Sequence, residues 1–211
     1  MSQLEMGART PRPVTLCYIH GFLSGSTAAK AKALATYIQE HGDSLGDIKF
    51  AAPDFPDTPQ EAYAALRAFC RELQASEPER LIVLVGSSMG GFFSTLLGAE
   101  FNCKMVLLNP CTHPQDYVHH LVGPQFNEMT GTHFELKPEM ITFLRELDAA
   151  TVVRPELTRV YLGSCDQTLD WRKSMLRYNA CDIQFVQGED HAFTHNFAAL
   201  IPSIMDFALA L

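Results

Sequence analysis

The sequence has little positive charge and no long apolar segment. Lys and Arg number 16 against 24 Asp and Glu, which gives a formal net charge of -8. Nucleic-acid binding depends on a basic surface that neutralises phosphates, so we expect no nucleic-acid partner. The longest unbroken apolar runs, such as residues 81–85, are far shorter than the roughly 18 residues that span a bilayer. We therefore expect no stable association with a membrane.

Disulfide and metal-binding patterns are also missing. The cysteines show no C-x-x-C pair and no regular spacing; they stand at positions 17, 70, 103, 111, 165 and 181. The first residues lack the apolar stretch of a secretory signal, which predicts a cytoplasmic protein with reduced thiols. His113, His119, His120 and His133 lack H-E-x-x-H spacing and a suitably placed acidic residue. We predict neither a metal nor a cofactor.

Strand-like and helix-like segments alternate along most of the chain. Val14–Ile19 is a continuous apolar run, typical of a strand buried on both faces. Further strands are predicted at residues 48–51, 81–85, 105–108, 159–162 and 183–186. Helices are predicted at residues 26–41, with Gly42 as the stop, and at 59–76, 89–101, 169–178 and from 195 onward. This alternation predicts an α/β protein with a mainly parallel sheet of about six strands flanked by helices.

The length of 211 residues favours one domain, residues 1–211. Residues 1–13 are expected to form a flexible N-terminus. Residues 111–157 break the alternation, with several prolines, four histidines, a turn at Gly131 and one helix near residues 139–147. We interpret this segment as a small lid-like insertion over the carboxyl ends of the strands.

One motif predicts chemistry. Residues 86–90 read Gly-Ser-Ser-Met-Gly, which satisfies G-x-S-x-G between a predicted strand and a predicted helix. That setting is typical of the nucleophile elbow of the α/β-hydrolase fold, with Ser88 at the tip of a strained turn. We expect that a Cβ atom at position 86 or 90 would collide with its neighbours. The alternative is a glycine-rich turn that binds phosphate, which neither G-x-x-x-x-G-K-[ST] nor G-x-G-x-x-G supports.

A serine hydroxyl needs a base, and the base needs an acid to fix its tautomer. In α/β-hydrolases the order along the chain is serine, acid, histidine, with each residue in a loop after a strand. Asp166 follows the strand at 159–162, and His191 follows the strand at 183–186. Asp170 is the alternative acid, although it is placed to cap the next helix. His195 is the alternative base, at the predicted start of the last helix.

The oxyanion formed on attack requires preorganised N–H donors. The residue after the nucleophile supplies one, here the backbone of Met89. The loop after the first strand, His20-Gly21-Phe22, is expected to supply the second through the backbone of Phe22. His20 itself is interpreted mainly as a residue that braces this loop, with substrate contact as the alternative.

Substrate-binding residues are less well defined by the sequence. An acyl pocket beneath the insertion could use Phe22 together with Leu23, Phe92, Phe126 and Phe134, against the alternative that these are ordinary core residues. Lys30 and Lys32 lie early in the first predicted helix, where positive charge opposes the helix dipole. Lys30 is therefore a candidate contact for an anionic group such as a CoA phosphate, against the alternative of a solvated lysine.

Several motifs together resemble the YqiA/YcfP-type esterases. They are His20-Gly21-Phe22 with residues 24–34, Gly86 to Phe92, Asn109-Pro110, Thr130-Gly131, Asp166 with Leu169-Asp170, and Gly188 to Phe193. The similarity runs from about Val14 to the C-terminus. It implies an α/β-hydrolase fold, Ser88 as nucleophile, Asp166 as acid and His191 as base. Cys165 departs from the pattern, because a small residue, usually glycine, is expected before the acid.

The resemblance further implies hydrolysis of carboxylic esters and thioesters, with acyl-CoA among the substrates. We therefore expect a small-molecule acyl ester or thioester as the binding partner. Acyl transfer to an acceptor other than water would use the same three residues. A binding protein that keeps the hydrolase scaffold without catalysis is the alternative from another class. The sequence does not predict the acyl-chain length or the oligomeric state.

Overall fold

The computed structural model describes residues 12–210. The predicted flexible segment, residues 1–13, therefore falls almost wholly outside the described residues. Six strands form one sheet: β1 Val14–Ile19, β2 Ile48–Ala51, β3 Leu81–Ser87, β4 Lys104–Leu108, β7 Thr158–Gly163 and β8 Asp182–Val186. Their order is β2-β1-β3-β4-β7-β8, and every neighbouring pair is parallel. The predicted mainly parallel sheet of about six strands is confirmed.

Helices cover both faces of the sheet because alternate strand residues point to opposite sides. Leu16 and Tyr18 of β1 pack in one core with α1 Ala29–Leu45 and α7 Phe197–Leu209. Cys17 and Ile19 of the same strand belong to a second core. That core contains residues of α2 Pro59–Ser76, α3 Met89–Phe101 and α5 Pro138–Ala149. Helix α6 Trp171–Arg177 lies between β7 and β8 in the chain.

Two predicted helix boundaries are wrong. Helix α1 begins at Ala29 rather than Ser26, because the backbone N–H and hydroxyl of Ser26 both donate to the carboxylate of Asp54. The helix continues through Gly42, since glycine in an exposed helix costs only about 1 kcal/mol. It stops at Gly46, whose φ of 80° is the backbone conformation that glycine favours.

The insertion contains more structure than its sequence predicts. It holds a short helix α4 Gln115–Val118 and an antiparallel hairpin, β5 Gly123–Asn127 with β6 Thr132–Leu136, before α5. The turn predicted at Gly131 joins the hairpin strands, with a φ of 71°. Asn127 fastens the hairpin over the strand ends by donating to the carbonyl of Ser24 and the carboxylate of Asp57. That the segment acts as a lid within a single domain stays a prediction.

None of the helices between residues 12 and 210 is both long enough and apolar enough to cross a bilayer.

Candidate active site

Ser88 stands at the junction of β3 and α3 with φ 56° and ψ -121°. Such a conformation costs a residue other than glycine about 1–3 kcal/mol, as the sequence analysis expected. A Cβ atom at Gly90 would lie closer than 3.0 Å to the carbonyl oxygens of Ile19 and His20, and one at Gly86 would approach Ser94 and Gly90 equally closely. The prediction that glycine is required at both positions is confirmed.

The elbow is held by the backbone of the neighbouring strand. The N–H of Ser88 donates to the carbonyl of Leu108 at 3.0 Å, and the N–H of Cys111 donates to the carbonyl of Ser88 at 2.9 Å. A third bond runs from the N–H of Gly91 to the same carbonyl at 2.9 Å. These hydrogen bonds therefore hold the backbone of Ser88 in its strained conformation.

His191 lies between Ser88 and Asp166. Its Nε2 atom is 3.0 Å from Oγ of Ser88, and its Nδ1 atom is 2.8 Å from Oδ2 of Asp166. The side chain of Asp166 is 1% exposed, and its Oδ1 atom accepts from the backbone N–H groups of Thr168 and Leu169. Both oxygens of the Asp166 carboxylate therefore accept hydrogen bonds, which hold it in the position that orients the imidazole of His191. The structure thus brings together the three residues that the sequence singles out.

The two alternatives lie elsewhere. Asp170 accepts from the N–H of Arg172 at 3.0 Å and so caps α6, which accounts for that helix beginning at Trp171. His195 is 65% exposed, and its nearest carboxylate oxygen, on Glu189, is 3.8 Å away. Neither residue contacts Ser88 or His191 in the described part of the chain.

Asn109 joins the loops that carry the acid and the histidine. Its Nδ2 amide donates to the backbone carbonyls of Asp190 at 3.0 Å and His191 at 3.1 Å, while its Oδ1 atom accepts from the N–H of Gly163 at 2.8 Å. Asn109 is 2% exposed, so all its bonds are within the protein. Sequence reasoning used this residue only as part of the resemblance. The signal that could have found it is an amide directly after an apolar strand, where a buried polar group needs several partners.

Lys30 lies against the loop that carries His191. Its ammonium group donates to the carbonyl of Ala192 at 2.7 Å. Burial lowers the pKa of Lys30, and the nearby Asp190 opposes that effect. That Lys30 contacts an anionic substrate stays a prediction, because an ammonium group has three N–H donors and this bond uses one of them. Lys32 is exposed, in keeping with a solvated lysine.

The loop after β1 packs directly against the elbow. A Cβ atom on Gly21 would lie 3.1 Å from Cβ of Ser88 and 3.3 Å from the carbonyl oxygen of Ser87. Gly21, Phe22 and Met89 all line one small cavity beside Ser88. The two predicted oxyanion donors, the backbone N–H groups of Phe22 and Met89, therefore belong to residues on the same side of the nucleophile.

His20 has the bracing position that the sequence analysis favoured, and it also lines the cavity. Its Nδ1 atom is 2.9 Å from the carbonyl of Gly21, and its ring stacks on Phe55 at 3.9 Å with an interplanar angle of 5°. Burial lowers the pKa of His20, against the opposing effects of the Gly21 carbonyl and of Asp54 and Asp57. A neutral imidazole is therefore favoured at this position. Among residues 12–210, Nε2 of His20 has no hydrogen-bond partner.

Of the residues predicted for the acyl pocket, Phe22 is the one whose side chain belongs to the cavity beside Ser88. Phe22 lines the cavity and packs edge-on against Phe134 at 5.9 Å. Phe92 is 1% exposed in the core under α3, and Leu23 and Phe126 are 38% and 44% exposed. None of these three, nor Phe134, lines the cavity. The walls that the sequence reasoning missed are Phe55, Ala62, Phe93, Val118 and Leu136.

Side chains with metal-ligating atoms cluster in one place that the sequence reasoning did not identify. Glu189, Asp190 and His195 each offer an atom within 4.8 Å of the others. In this structure Asp190 accepts instead from the N–H and hydroxyl of Thr194. The four histidines of the insertion are divided: His113 pairs with Asp148 at 2.7 Å, His119 packs on His120, and His133 stacks on Phe126.

Solved structures with this architecture are numerous, and their sequences are distant. The chain is similar to a putative hydrolase from Agrobacterium vitis, with 16% identity, a TM-score of 0.71 and coverage of 93% of this chain and 88% of that one. It is also similar to Est1E from Butyrivibrio proteoclasticus in a structure with ferulic acid bound, with 14% identity, a TM-score of 0.69 and coverage of 95% and 90%. The esterase domain of a Rhodothermus marinus protein is 21% identical, with a TM-score of 0.64 and coverage of 96% and 88%. These likenesses establish the α/β-hydrolase fold.

The family comparison covers nearly the whole described chain. Residues 15–209 match the family described as Uncharacterised protein family (UPF0227). The match includes the elbow, both loops that carry Asp166 and His191, and the insertion. This chain therefore belongs to that family, which is the YqiA/YcfP-type esterase family that its motifs resemble.

Proposed function

We propose that the protein is a serine hydrolase that cleaves acyl esters or thioesters through a covalent acyl-enzyme. The observation that carries this proposal is the continuous chain of contacts from Oγ of Ser88 through His191 to Asp166. A hydroxyl so bonded to an oriented imidazole loses its proton as it attacks, which is how a serine becomes nucleophilic near neutral pH.

In the first step Oγ of Ser88 forms a bond to the substrate carbonyl carbon, and its proton passes to Nε2 of His191. Asp166 accepts a hydrogen bond from Nδ1 and stabilises the positive charge on the ring. The backbone N–H groups of Phe22 and Met89 bind the oxyanion, each such donor typically contributing 10²–10³ in rate. Collapse breaks the bond to the alcohol or thiol, which leaves with the proton from His191.

In the second step water takes the place of Ser88 as the nucleophile, and His191 again acts as the base. A water molecule gives a proton to His191 and attacks the acyl carbon, and the released Ser88 takes that proton back. The products are a carboxylic acid and free enzyme. No cofactor is needed, because every proton and electron pair is supplied by the three side chains, the substrate and water.

The proposal is tested with the purified protein and its Ser88→Ala variant on p-nitrophenyl acetate and acetyl-CoA. Wild type should release p-nitrophenol or CoA together with acetate, and Ser88→Ala should lose at least about 10³-fold in kcat. Ser76→Ala, at an exposed helix end, is the matched control and should keep full activity. Retained turnover in Ser88→Ala would reject the proposal.

Two other functions are outcomes of the same experiment. If added methanol or a simple amine captures the acetyl group in place of water, the protein is an acyltransferase. If neither substrate is turned over but both bind, the protein is a binding protein on a hydrolase scaffold. We propose hydrolysis because the site contains every group that water attack requires.

A further inference from the structure

A small cavity lies directly beside the proposed nucleophile. It borders Gly21 and Phe22, in the loop that packs against Ser88, and Met89, the residue after it. Its volume is about 20 Å³. One water needs about 10–15 Å³ of such space, so the cavity has room for one or two waters.

The position of His191 decides which part of a substrate enters this cavity. The leaving oxygen or sulfur must come within hydrogen-bond reach of Nε2 of His191, which is the group that protonates it. The cavity is lined by residues between 20 and 136, and none of the loops after β7 and β8 borders it. The leaving group therefore faces the histidine loop, and the cavity faces the acyl side of the carbonyl.

The inner wall of the cavity is apolar and closed. Ala62, Phe93 and Leu136 are each at most 2% exposed, and Phe93 packs on Tyr63 behind it. A longer acyl chain has no continuation into the core, because each extra methylene would displace well-packed side chains. Inserting methylenes into such packing typically costs about 1–3 kcal/mol.

The outward path carries hydrogen-bonding groups. Phe55, Pro56 and Asp57 border both the cavity and an open groove. The rest of the groove is lined by Gly25, Met129 and five polar side chains: Ser26, Thr27, Asp54, Thr130 and Thr132. An alkyl chain that leaves the cavity by this route would cover those polar groups without giving them hydrogen bonds, which is unfavourable. The groove is therefore a poorer site for a long acyl chain than a wholly apolar channel would be.

The carboxylates of Asp57 and Asp54 further restrict which acyl groups the cavity accepts. Asp57 borders the cavity, and Asn127 holds its carboxylate in place with a 2.7 Å bond. Asp54 lies in the adjoining groove and accepts two hydrogen bonds from Ser26. Two fixed carboxylates repel an acyl group that carries its own carboxylate, since charges close together in a partly desolvated site interact strongly.

We propose that this cavity is the acyl subsite and that it selects a short, uncharged acyl group. The inference rests on the proposed hydrolase function and specifies its substrate class. Chain-length selection is set by Ala62, Phe93 and Leu136 at the inner wall, and charge selection is set by Asp57.

The first test measures kcat/KM for p-nitrophenyl esters from acetate to decanoate. The expected result is a maximum at or below butyrate and a fall of at least about tenfold by octanoate. The p-nitrophenyl monoester of succinic acid should react at least about tenfold more slowly than the butyrate, and Asp57→Asn should recover part of that loss. An equal or rising kcat/KM up to octanoate would overturn the proposal.

Variants of the wall test the assignment of the residues. Ala62→Leu fills the cavity, so it should lower kcat/KM for butyrate more than for acetate. Leu136→Ala enlarges it, so it should raise the ratio of octanoate to acetate at least about fivefold. Leu144→Ala is the matched control, because Leu144 is equally buried but does not border the cavity. It should leave both ratios unchanged, and a shift equal to that of Leu136→Ala would overturn the assignment.

A binding measurement separates this inference from the proposed function. Butyramide and octanamide are uncharged and cannot acylate Ser88, and their binding is followed by NMR of the protein. Butyramide should shift signals near Met89, octanamide should not, and Ala62→Leu should abolish the shifts. That pattern without turnover of any ester would reject the hydrolase function and keep the subsite. Active ester hydrolysis with equal binding of both amides would reject the subsite and keep the hydrolase.

Discussion

The side-chain amide of Asn109 donates to the backbone carbonyl of His191 at 3.1 Å, although 82 residues separate them. The same side chain binds Asp190 and the end of β7. Its neighbours Leu108 and Cys111 hold the backbone of Ser88. One short segment after β4 thus fixes the loops of all three proposed catalytic residues.

Asn109→Asp tests this arrangement with almost no change in shape. The new carboxylate oxygen would face the two carbonyls that the amide now bonds, so the histidine loop should move away. We expect kcat to fall at least about tenfold, KM for a short ester to stay similar, and the free energy of unfolding to fall by about 2–4 kcal/mol. Steady-state kinetics and urea unfolding measure these effects. Asn179→Asp, at an exposed position, is the control; an unchanged kcat in Asn109→Asp would show that the contact does not position His191.

Lys30→Met removes the ammonium bond to Ala192 while keeping much of the apolar length of the side chain. Because that bond supports the residue next to His191, kcat should fall about three- to tenfold with both esters and thioesters. KM for acetyl-CoA should not rise more than KM for p-nitrophenyl acetate. Lys32→Met provides the exposed comparison. A rise in KM confined to acetyl-CoA would instead assign Lys30 to the anionic part of the substrate.

The strain at Ser88 predicts that two inactive variants of this residue differ in stability. Ser88→Gly and Ser88→Ala both remove the hydroxyl, and both should be inactive. Only glycine adopts φ 56°, ψ -121° without a steric penalty, so Ser88→Gly should be about 1 kcal/mol more stable than Ser88→Ala. Thermal or urea unfolding gives the difference. Equal stabilities would mean that the elbow stores no such strain.

His20 predicts a pH dependence of stability. Burial lowers the pKa of His20 from its ordinary 6.5, so the unfolded chain binds this proton more readily than the folded protein. The contribution to stability is complete above about pH 6.5 and is lost as the pH falls toward the folded pKa. His20→Gln should therefore lose less stability than wild type between about pH 7 and pH 5. Exposed His41→Gln should follow wild type; identical slopes in all three proteins would contradict the effect.

Much of the fold follows from local patterns. The bounds of β1 and β2 and the start of α2 at Pro59 agree with the sequence prediction, because apolar runs and a proline after Thr58 are strong local signals. The sequence also predicts that Ser88, Asp166 and His191 each follow a strand, in that order along the chain. Parallel strands end at one edge of a sheet, so residues distant in sequence meet there.

The features that the sequence did not predict depend on tertiary contacts that no local pattern reveals. The hairpin of the insertion was missed because its exposed strands lack regular apolar alternation, and because Asn127 anchors it to Ser24 and Asp57, which lie far away in sequence. Phe92 and Phe93 are adjacent and chemically identical, yet only Phe93 borders the cavity. The angle at which α3 leaves the elbow decides which of them does so. Asn109 was assigned no role because its partners are long-range backbone atoms.

The rate at which a fluorophosphonate labels Ser88 tests the central claim most directly. Peptide mass spectrometry should find one label per chain, on Ser88, and His191→Ala should label at least about 10²-fold more slowly than wild type. That result is expected because the hydroxyl reacts only when the imidazole 3.0 Å away takes its proton. Equal labelling rates in the two proteins, or a label on another residue, would contradict the account.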